Sequence, residues 1–254
     1  MEAARTPLIA GNWKMYKTVS EAVKTAEALV NQIADVTGVD VMIAPPFTAL
    51  ASVAAVLKDS TVALGAQNLH WESEGAFTGE ISAVMLLSTG CTHVIIGHSE
   101  RRQYFGETDE TVNQRIRTAL QNRLVPVMCI GESEAERDAG ETFNVLDKQL
   151  QKGLKGFVSD DLTPLVVAYE PVWAIGTGKT ATTEQAQEAH KFIRLQVEKK
   201  FGNKLANSTR ILYGGSVKPG NIDELMTMPD VDGALVGGAS LDASVFSQIV
   251  GYRK

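Results

Sequence analysis

The sequence predicts an α/β protein whose parallel strands close into a single-domain (β/α)8 barrel. Short apolar runs recur along the chain, amphipathic stretches separate them, and 254 residues accommodate roughly eight such units. An open doubly wound sheet is the alternative, and it would carry a G-x-G-x-x-G fingerprint after its first strand. The chain has G-N-W-K-M there, at residues 11–15. We therefore expect one closed barrel domain over residues 1–254.

The predicted strands are apolar runs, most of which end in Gly, Ala or a polar residue. They cover residues 7–13, 39–44, 62–66, 93–98, 125–131, 165–170, 210–215 and 233–238. Runs without a polar face are typical of parallel strands that helices cover on the outside. No Pro- or Ser-rich linker interrupts this alternation, which agrees with a single domain.

Amphipathic helices are predicted between the strands, at residues 20–33, 108–121 and 184–200 among others. The first of them opens with Ser20 as its predicted N-cap. Its apolar stripe is predicted to consist of Val23, Ala26 and Val30. Each crossover between parallel strands is expected to be right-handed.

Composition and charge argue against several classes of protein. The chain is 44% hydrophobic and 21% charged, with a formal net charge of −6 and no basic tract. Nucleic acid is not an expected partner, because binding it needs a concentrated positive face. The first residues lack the apolar core of a signal peptide and no run approaches membrane-spanning length, so we expect no membrane partner. Cys91 and Cys129 lack metal-ligand spacing and are expected to be free thiols in a reducing cytoplasm.

Residues 165–181 carry the strongest functional signal. Glu170 ends an apolar strand and is followed by Pro171, the apolar segment 172–175 and then G-T-G. A carboxylate at a strand end beside a hydrophobic flap between two hinges is typical of a general base with a lid. A lone Glu is more often a surface residue before an apolar turn, so the other strand ends have to decide.

Other strand ends carry polar residues that suit chemistry, which in a barrel lies at the C-terminal strand ends. Asn12 and Lys14 follow the first strand, and Lys14 would supply positive charge for an anion. His98 follows the fourth strand, and His is the commonest proton-transfer residue. A helical turn starting at Ser99 would direct its dipole at the ring and keep it neutral. A solvated Lys and a core His are the alternatives. Three further histidines have no such context and are predicted to be structural or surface residues: His70, His93 and His190.

Two paired-glycine turns follow the seventh and eighth strands, Y-G-G-S at 213–216 and G-G-A-S at 237–240. Paired glycines let the backbone approach a ligand with its N–H groups forward, which suits a phosphate. The last two loops of a barrel are a common phosphate site. One such turn would be unremarkable, but two in adjacent loops favour an anion site.

Five motifs occur in this order with barrel spacing: G-N-W-K-M, G-H-S-E-R-R, A-Y-E-P-V-W-A-I-G-T-G-K, Y-G-G-S-V and L-V-G-G-A-S-L. With them the chain closely resembles the triosephosphate isomerase family over essentially its full length. The resemblance implies a TIM barrel enzyme that interconverts dihydroxyacetone phosphate and D-glyceraldehyde 3-phosphate through an enediol(ate), in glycolysis and gluconeogenesis. It implies no metal and no organic cofactor. The family is itself a standard example of pKa tuning.

The resemblance also implies roles for individual residues. Glu170 is the base, and a neutral His98 polarises the carbonyl. Lys14 and Asn12 lie against the substrate oxygens, and Glu100 is a partner of Lys14. Backbone N–H groups form the phosphate cradle, at Gly176, Ser216, Gly237 and Gly238.

A lid and a dimer loop are implied in the same way. The lid is 171–181, with hinges at Pro171-Val172-Trp173 and at 179–181, and Ile175 and Leu235 clamp over Glu170. The long segment 67–82 implies a homodimer. In it, Thr78 reaches the partner's Asn12 region, and Glu80 pairs with Arg101 of one chain or the other. Three residues depart from the family pattern, none of them catalytic: Tyr16, Phe77 and His93.

Two alternative functions were weighed against this one. Another phosphosugar isomerase, acting on a phosphoribosyl compound, would need a more open site than the short lid allows. A non-catalytic phosphate-binding barrel would lack a base or an electrophile, and the chain has both in Glu170 and His98.

Overall fold

Strands and helices alternate along the chain in the computed structural model, which describes residues 5–176 and 179–253. The strands are β1 Leu8–Asn12, β2 Asp40–Ala44, β3 Val62–Ala66, β4 His93–Ile96, β5 Val125–Ile130, β6 Val166–Tyr169, β7 Arg210–Tyr213 and β8 Gly233–Val236. Each predicted apolar run contains one of these strands. The runs predicted the strands well because each strand is almost wholly buried.

The strands form a closed parallel barrel in the order β1 to β8, as the sequence predicts. Closure occurs where β1 pairs with β8, with Leu8 opposite Gly233. Alternate side chains, among them Met42, Ile95 and Leu212, fill the barrel interior. The remaining buried side chains pack between the strands and the surrounding helices. This arrangement brings the C-terminal strand ends together at one rim.

The described helices surround the barrel, and three of them match the predicted helices to within one residue at each end. They are α1 Val19–Gln32, α2 Leu50–Leu57, α3 Ala83–Ser88, α4 Ser99–Phe105, α5 Asp109–Gln121, α6 Glu134–Asp138, α7 Thr142–Gly153, α8 Thr183–Phe201, α9 Asn203–Ser208, α10 Ile222–Met226 and α11 Ala243–Val250. None of the helices in the described residues is long and apolar enough to cross a membrane.

The start of α1 differs from the prediction. Thr18, not Ser20, is the N-cap, and its backbone N–H donates to the Glu21 carboxylate at 2.7 Å. In return, the Thr18 hydroxyl accepts the Glu21 N–H. This reciprocal capping box satisfies two otherwise unpaired N–H groups, which explains why the helix begins earlier than Ser20 would set it.

The buried stripe of α1 is also shifted from the predicted one. Ala26 is buried as predicted, but Val23 and Val30 are only partly buried. The fully buried positions are Ala22, Ala26 and Leu29. The helix packs against both α2 and α11. The face it buries is therefore turned by about one residue from the predicted stripe.

Asp232, the residue before β8, joins neighbouring strands at the amino-terminal end of the barrel. Its carbonyl oxygen accepts the Leu8 N–H and its own N–H donates to the Ile211 carbonyl, both at 2.9 Å. Its carboxylate accepts the Ile211 N–H at 2.8 Å and a guanidinium N–H of Arg194 at 2.6 Å. One residue therefore ties β1, β7 and α8 to the start of β8.

Candidate active site

A cavity of about 340 Å³ opens at the C-terminal rim of the barrel. It is lined by every residue that the sequence predicts for proton transfer or phosphate binding: Asn12, Lys14, His98, Glu170, Gly176, Ser216, Gly237 and Gly238. The predicted clamp residues Ile175 and Leu235 line it as well. Residues from the first, fourth, sixth, seventh and eighth strand ends thus meet in one space.

Glu170 and His98 face each other in this cavity. The ring Nε2 of His98 lies 2.9 Å from Glu170 Oε1, and both side chains are buried. The second carboxylate oxygen, Oε2, accepts the Ser99 N–H at 2.9 Å. On the other side of the ring, Nδ1 accepts the Glu100 N–H at 3.2 Å. Because Nδ1 accepts a hydrogen bond, the ring proton is on Nε2, towards the carboxylate.

The pKa values of this pair move in opposite directions. Burial disfavours the imidazolium of His98, but the carboxylates of Glu170 and Glu100 outweigh it and raise the His98 pKa. Burial would raise the pKa of Glu170, but the contact with His98 and the Ser99 N–H lower it below its ordinary value. The raised pKa of His98 is opposite to the predicted effect of the α4 dipole. The helix dipole alone would lower the His98 pKa, but the Glu170 carboxylate in contact with the ring has the larger effect.

Lys14 is held on three sides. Its backbone adopts a φ of 50°, its N–H donates to Asn12 Oδ1 at 3.0 Å, and its carbonyl accepts from Gln67 Nε2 at 2.8 Å. The ammonium Nζ lies 2.6 Å from Glu100 Oε1, so the predicted pairing with Glu100 is present. A Cβ added to Gly237 would lie 3.3 Å from Lys14 Cε. The lysine side chain therefore lies directly against one of the paired-glycine turns.

Two glycines make room for the predicted base. A Cβ at Gly214 would lie 2.9 Å from the Glu170 side-chain Cγ, and a Cβ at Gly131 would lie 1.7 Å from the Glu170 carbonyl oxygen. Side chains at either position would displace Glu170. The first glycine of the Y-G-G-S motif thus has a steric reason beyond close approach to a ligand.

The predicted lid begins with a short 3-10 helix, Val172–Ala174, directly after Pro171. Trp173 donates its indole N–H to the buried Glu132 carboxylate at 2.9 Å, and the Arg137 guanidinium stacks over the indole at 4.5 Å. Ile175 is partly buried and Gly176 is exposed with a φ of 70°. The apolar segment is therefore partly covered by the rest of the chain. Residues 177 and 178 of the predicted lid lie outside the described residues.

The middle of the predicted dimer loop, residues 72–80, is solvent-exposed in the single chain. Thr78 and Glu80 are exposed, as is the aromatic Phe77 beside them. Arg101 forms its ion pair with Glu107 of the same chain. The pairing of Arg101 with Glu80 is therefore left as a prediction about two subunits.

The cavity contains residues that sequence reasoning did not assign to the site. Tyr16 and Lys218 both line it. Lys218 lies two residues after the Y-G-G-S motif, and Tyr16 lies two residues after Lys14. The signal for Lys218 in the sequence was a cation just beyond a predicted phosphate-binding turn. Lysine is a common residue in any exposed loop, so this signal is weak.

Metal ligation finds no support in the described part of the chain. No group of three or more His, Cys, Asp or Glu side chains among these residues could hold a metal ion. Cys91 and Cys129 are both free and buried. Burial raises the pKa of the Cys129 thiol, and the nearby Glu170 carboxylate raises it further, which keeps this thiol protonated.

Comparisons with known proteins agree with this geometry. The family model described as triosephosphate isomerase matches residues 7–253. The triosephosphate isomerase of Citrifermentans bemidjiense is 55% identical over 250 residues, covering 98% of this chain and 100% of the relative. That of Geobacter metallireducens is 57% identical over 249 residues, covering 98% and 99%. The crystal structure of triosephosphate isomerase from Bartonella henselae matches with a TM-score of 0.87 and 39% identity, over 96% of this chain and 97% of that one. The chain belongs to the triosephosphate isomerase family.

Proposed function

We propose that the rim cavity is the active site in which this enzyme interconverts dihydroxyacetone phosphate and D-glyceraldehyde 3-phosphate through an enediol(ate). One observation carries the proposal: a buried carboxylate, Glu170, faces the imidazole of His98 in a cavity that also contains Lys14 and two paired-glycine turns. A base, an electrophile, a cation and an anion cradle are the groups that a triose phosphate isomerisation needs. The reaction needs no cofactor.

Glu170 is the proposed base. It takes a proton from the carbon beside the substrate carbonyl and returns it to the neighbouring carbon. In the structure its carboxylate is held by His98 and the Ser99 N–H, which lower its pKa. To act, the carboxylate turns from these donors to the substrate carbon. There it keeps the burial that raises its pKa and loses the contacts that lower it, so it becomes a stronger base.

His98 is the proposed electrophile. Its Nδ1 accepts the Glu100 N–H, so the Nε2–H is directed into the cavity and can donate to the substrate carbonyl oxygen. When Glu170 turns to the substrate, the largest influence that raises the His98 pKa leaves the ring. Burial and the charge of Lys14, which both lower the pKa, remain, together with the smaller raising effect of Glu100. The neutral imidazole that the family mechanism uses is thus favoured in the same step that positions the base.

Lys14 and Asn12 are the proposed partners of the substrate oxygens. The Lys14 ammonium is already paired with Glu100, so a bound phosphate dianion would share this cation and not find it unpaired. The proposed cradle consists of backbone N–H groups of four residues around the cavity: Gly176, Ser216, Gly237 and Gly238. Backbone N–H groups bind an anion without adding charge to an acidic protein.

The proposed lid closes over the substrate by bringing residues 171–181 against the rim. Closure would cover the enediolate and exclude water, because Ile175 and Leu235 both line the cavity that it caps. The proposed phosphate contact at Gly176 lies inside this segment, so substrate binding and closure would be coupled.

We also propose that the enzyme works as a homodimer. Large apolar side chains are solvent-exposed in the loops and short helices that follow β1 to β4: Met15, Tyr16, Phe47, Phe77, Val84, Met85, Tyr104 and Phe105. A patch of this kind on one side of a soluble chain favours a protein partner, and a second copy is the partner that the resemblance implies. In the dimer, Thr78 would approach the Asn12 region of the partner subunit, and Glu80 would pair with Arg101 of one chain or the other.

Three further proposals concern the organisation and setting of the enzyme. The chain is proposed to act as one domain, in the cytoplasm, and in glycolysis and gluconeogenesis. The two free, buried thiols, Cys91 and Cys129, fit a reducing compartment.

The decisive experiment measures conversion of dihydroxyacetone phosphate to glyceraldehyde 3-phosphate by the wild type and by Glu170→Gln in parallel. The expected result is rapid turnover by the wild type and near-complete loss in the variant, with inorganic phosphate still binding to both. A folded wild type that binds phosphate without turnover would make this a phosphate-binding barrel. Turnover of a phosphoribosyl substrate in preference to the triose would assign it to another phosphosugar isomerase.

A further inference from the structure

Two tyrosines end the strands that carry the proposed base and the first paired-glycine turn. Tyr169 on β6 and Tyr213 on β7 are register partners, and both are buried. Their neighbours Ala168 and Leu212 belong to the barrel interior, so the tyrosines point outward, towards the helices. Tyr169 directly precedes Glu170. The positions of the two rings therefore bear on where the catalytic ends of both strands lie.

One residue on α8, His190, contacts both rings. Its ring centroid lies 5.9 Å from that of Tyr169, edge to face, and 6.4 Å from that of Tyr213. His190 is fully buried, and its Nδ1 lies 3.2 Å from the carbonyl oxygen of Asp230. Because a carbonyl can only accept, Nδ1 carries the ring proton. Burial lowers the His190 pKa to about 4, so the ring stays neutral in this orientation at pH 7.

The Asp230 carbonyl is a firm anchor because α8 holds the whole residue. Gln187 donates from Nε2 to the Asp230 carboxylate at 2.6 Å and accepts the Asp230 N–H at 3.1 Å. Arg194 donates to the other carboxylate oxygen at 2.6 Å. Two residues further along the chain, Asp232 directly precedes β8, and β8 leads to the second paired-glycine turn. His190 thus links the segment before β8 to the ends of β6 and β7.

We propose that His190 is a positioning residue of the active site, which holds Tyr169 and Tyr213 and thereby sets the spacing between Glu170 and the turn at 214–216. The inference rests on the proposed isomerase function. The two strand ends are in close contact, since a Cβ at Gly214 would lie 2.9 Å from Glu170 Cγ. A displacement of either tyrosine therefore changes the position of the base relative to the phosphate turn. Shifts of about 1 Å in such a geometry reduce rates strongly.

Two substitutions separate the parts of this role. His190→Asn keeps an N–H near the position of Nδ1 but removes the ring that contacts the tyrosines. His190→Phe keeps a ring and removes the donor to Asp230. The matched control is Val197→Ala, at a buried position two turns further along α8, which removes core packing but retains the His190 ring and its anchor at Asp230.

The measurements are kcat, KM, Tm and the Kd of inorganic phosphate for the wild type and all three variants. We expect His190→Asn to lower kcat/KM on the order of 10-fold and to weaken phosphate binding several-fold. His190→Phe, which retains the contacts with the tyrosines, should recover part of this loss. Val197→Ala should lower Tm and leave kcat/KM within about twofold of the wild type.

Unchanged kcat, KM and phosphate Kd in His190→Asn, together with a lower Tm, would overturn the positioning role and leave a core histidine. If His190→Asn does not fold, the same comparison is made with His190→Leu, which also removes the ring, and wild-type kinetics and phosphate affinity there would overturn it equally. A wild type without turnover would contradict the isomerase function instead, and the phosphate affinities of the variants would still test the positioning role.

Discussion

The two sides of the barrel rim present different chemical groups. After β1 to β4 the rim presents side chains: Lys14 and His98 towards the cavity, and exposed apolar groups such as Met15 and Tyr104 towards solvent. After β7 and β8 it presents backbone, in the turns at 214–216 and 237–239. The first side therefore suits charge and a protein partner, and the second suits close approach of an anion. In a barrel of repeated βα units, the composition of the loops alone can thus place anion binding on one side of the rim and contact with a protein partner on the other.

Glu170 directly follows β6, beside the backbone-rich side of the rim, yet its hydrogen bonds go to His98 and Ser99 on the opposite side. The base therefore joins the two sides of the rim. Variants that break this link should affect chemistry most, and variants confined to one side should affect association or binding.

The largest expected effect comes from removing the electrophile. His98→Gln should lower kcat by about 10²–10⁴-fold, because an amide cannot replace imidazole in polarising the carbonyl and moving protons. Steady-state kinetics of the folded variant test this. His93→Gln is the matched control, since His93 lies at the start of β4, at the other end of the barrel, and should keep its kcat. An unchanged kcat in His98→Gln would return His98 to a core role.

Glu170→Asp tests the link between the two sides by distance alone. The carboxylate is kept but retracted by one bond, so we expect a loss on the order of 10²-fold or more in kcat. Phosphate binding should be unaffected, because the cradle is unchanged, and titration with inorganic phosphate is the control. A rate within a small factor of the wild type would mean that Glu170 is not the base.

His190, behind the backbone-rich side, should make stability depend on pH. Its folded pKa is lowered from 6.5 to about 4, so the unfolded chain takes up a proton more readily than the native state. The free energy of unfolding should therefore fall as pH drops from about 6.5 to 4, by about 3 kcal/mol from this group. Denaturant unfolding across this range, compared with His190→Phe, measures it. Equal pH dependence in both proteins would contradict the prediction.

The proposed dimer interface on the apolar side of the rim can be disrupted without replacing a charged residue of the cavity. Met15 is 94% exposed in the single chain, so Met15→Glu would place a carboxylate in the proposed interface and should dissociate the dimer. Sedimentation measures the mass, and activity should fall about 10-fold at dilute protein as loop support is lost. Val158→Glu is the control, since Val158 is 63% exposed but precedes β6 at the far end of the barrel. A Met15→Glu dimer would remove this side from the interface.

The smallest expected effect concerns Lys218, a cation on the backbone-rich side of the cavity. Lys218→Met should raise KM roughly threefold with kcat unchanged, because an exposed charge attracts the phosphate dianion without moving in the reaction. The effect should shrink with added salt. Lys24→Met, on α1 outside this cavity, should leave KM unchanged. A salt-independent change would point to a structural cause.

Much of the fold was predictable because burial dominates it. The strands are short and almost fully buried, so apolar runs with Gly or polar ends located each one. The N-cap of α1 was mispredicted because Ser20 and Thr18 are equally good caps alone, and only the reciprocal bond with Glu21 decides between them.

The candidate site was predictable where a residue type was unusual for its place. Glu170, His98 and Lys14 follow apolar strands, and the resemblance supplied their roles. Lys218 was missed because a loop lysine is ordinary until its cavity is known. The raised pKa of His98 was missed because it depends on a contact with Glu170, 72 positions along the chain, that no local pattern contains.

The narrow slot around Glu170 has a consequence for how this protein can change. Gly131 and Gly214 flank the base with bare backbone, and a single methyl group at either position would collide with it. In a library of variants selected for growth, substitutions at either glycine should be depleted even if that glycine does not contact the substrate. Whether a position near the active site tolerates substitution should therefore depend on whether a new side chain would collide with Glu170, and not on the distance of that position from the bound substrate.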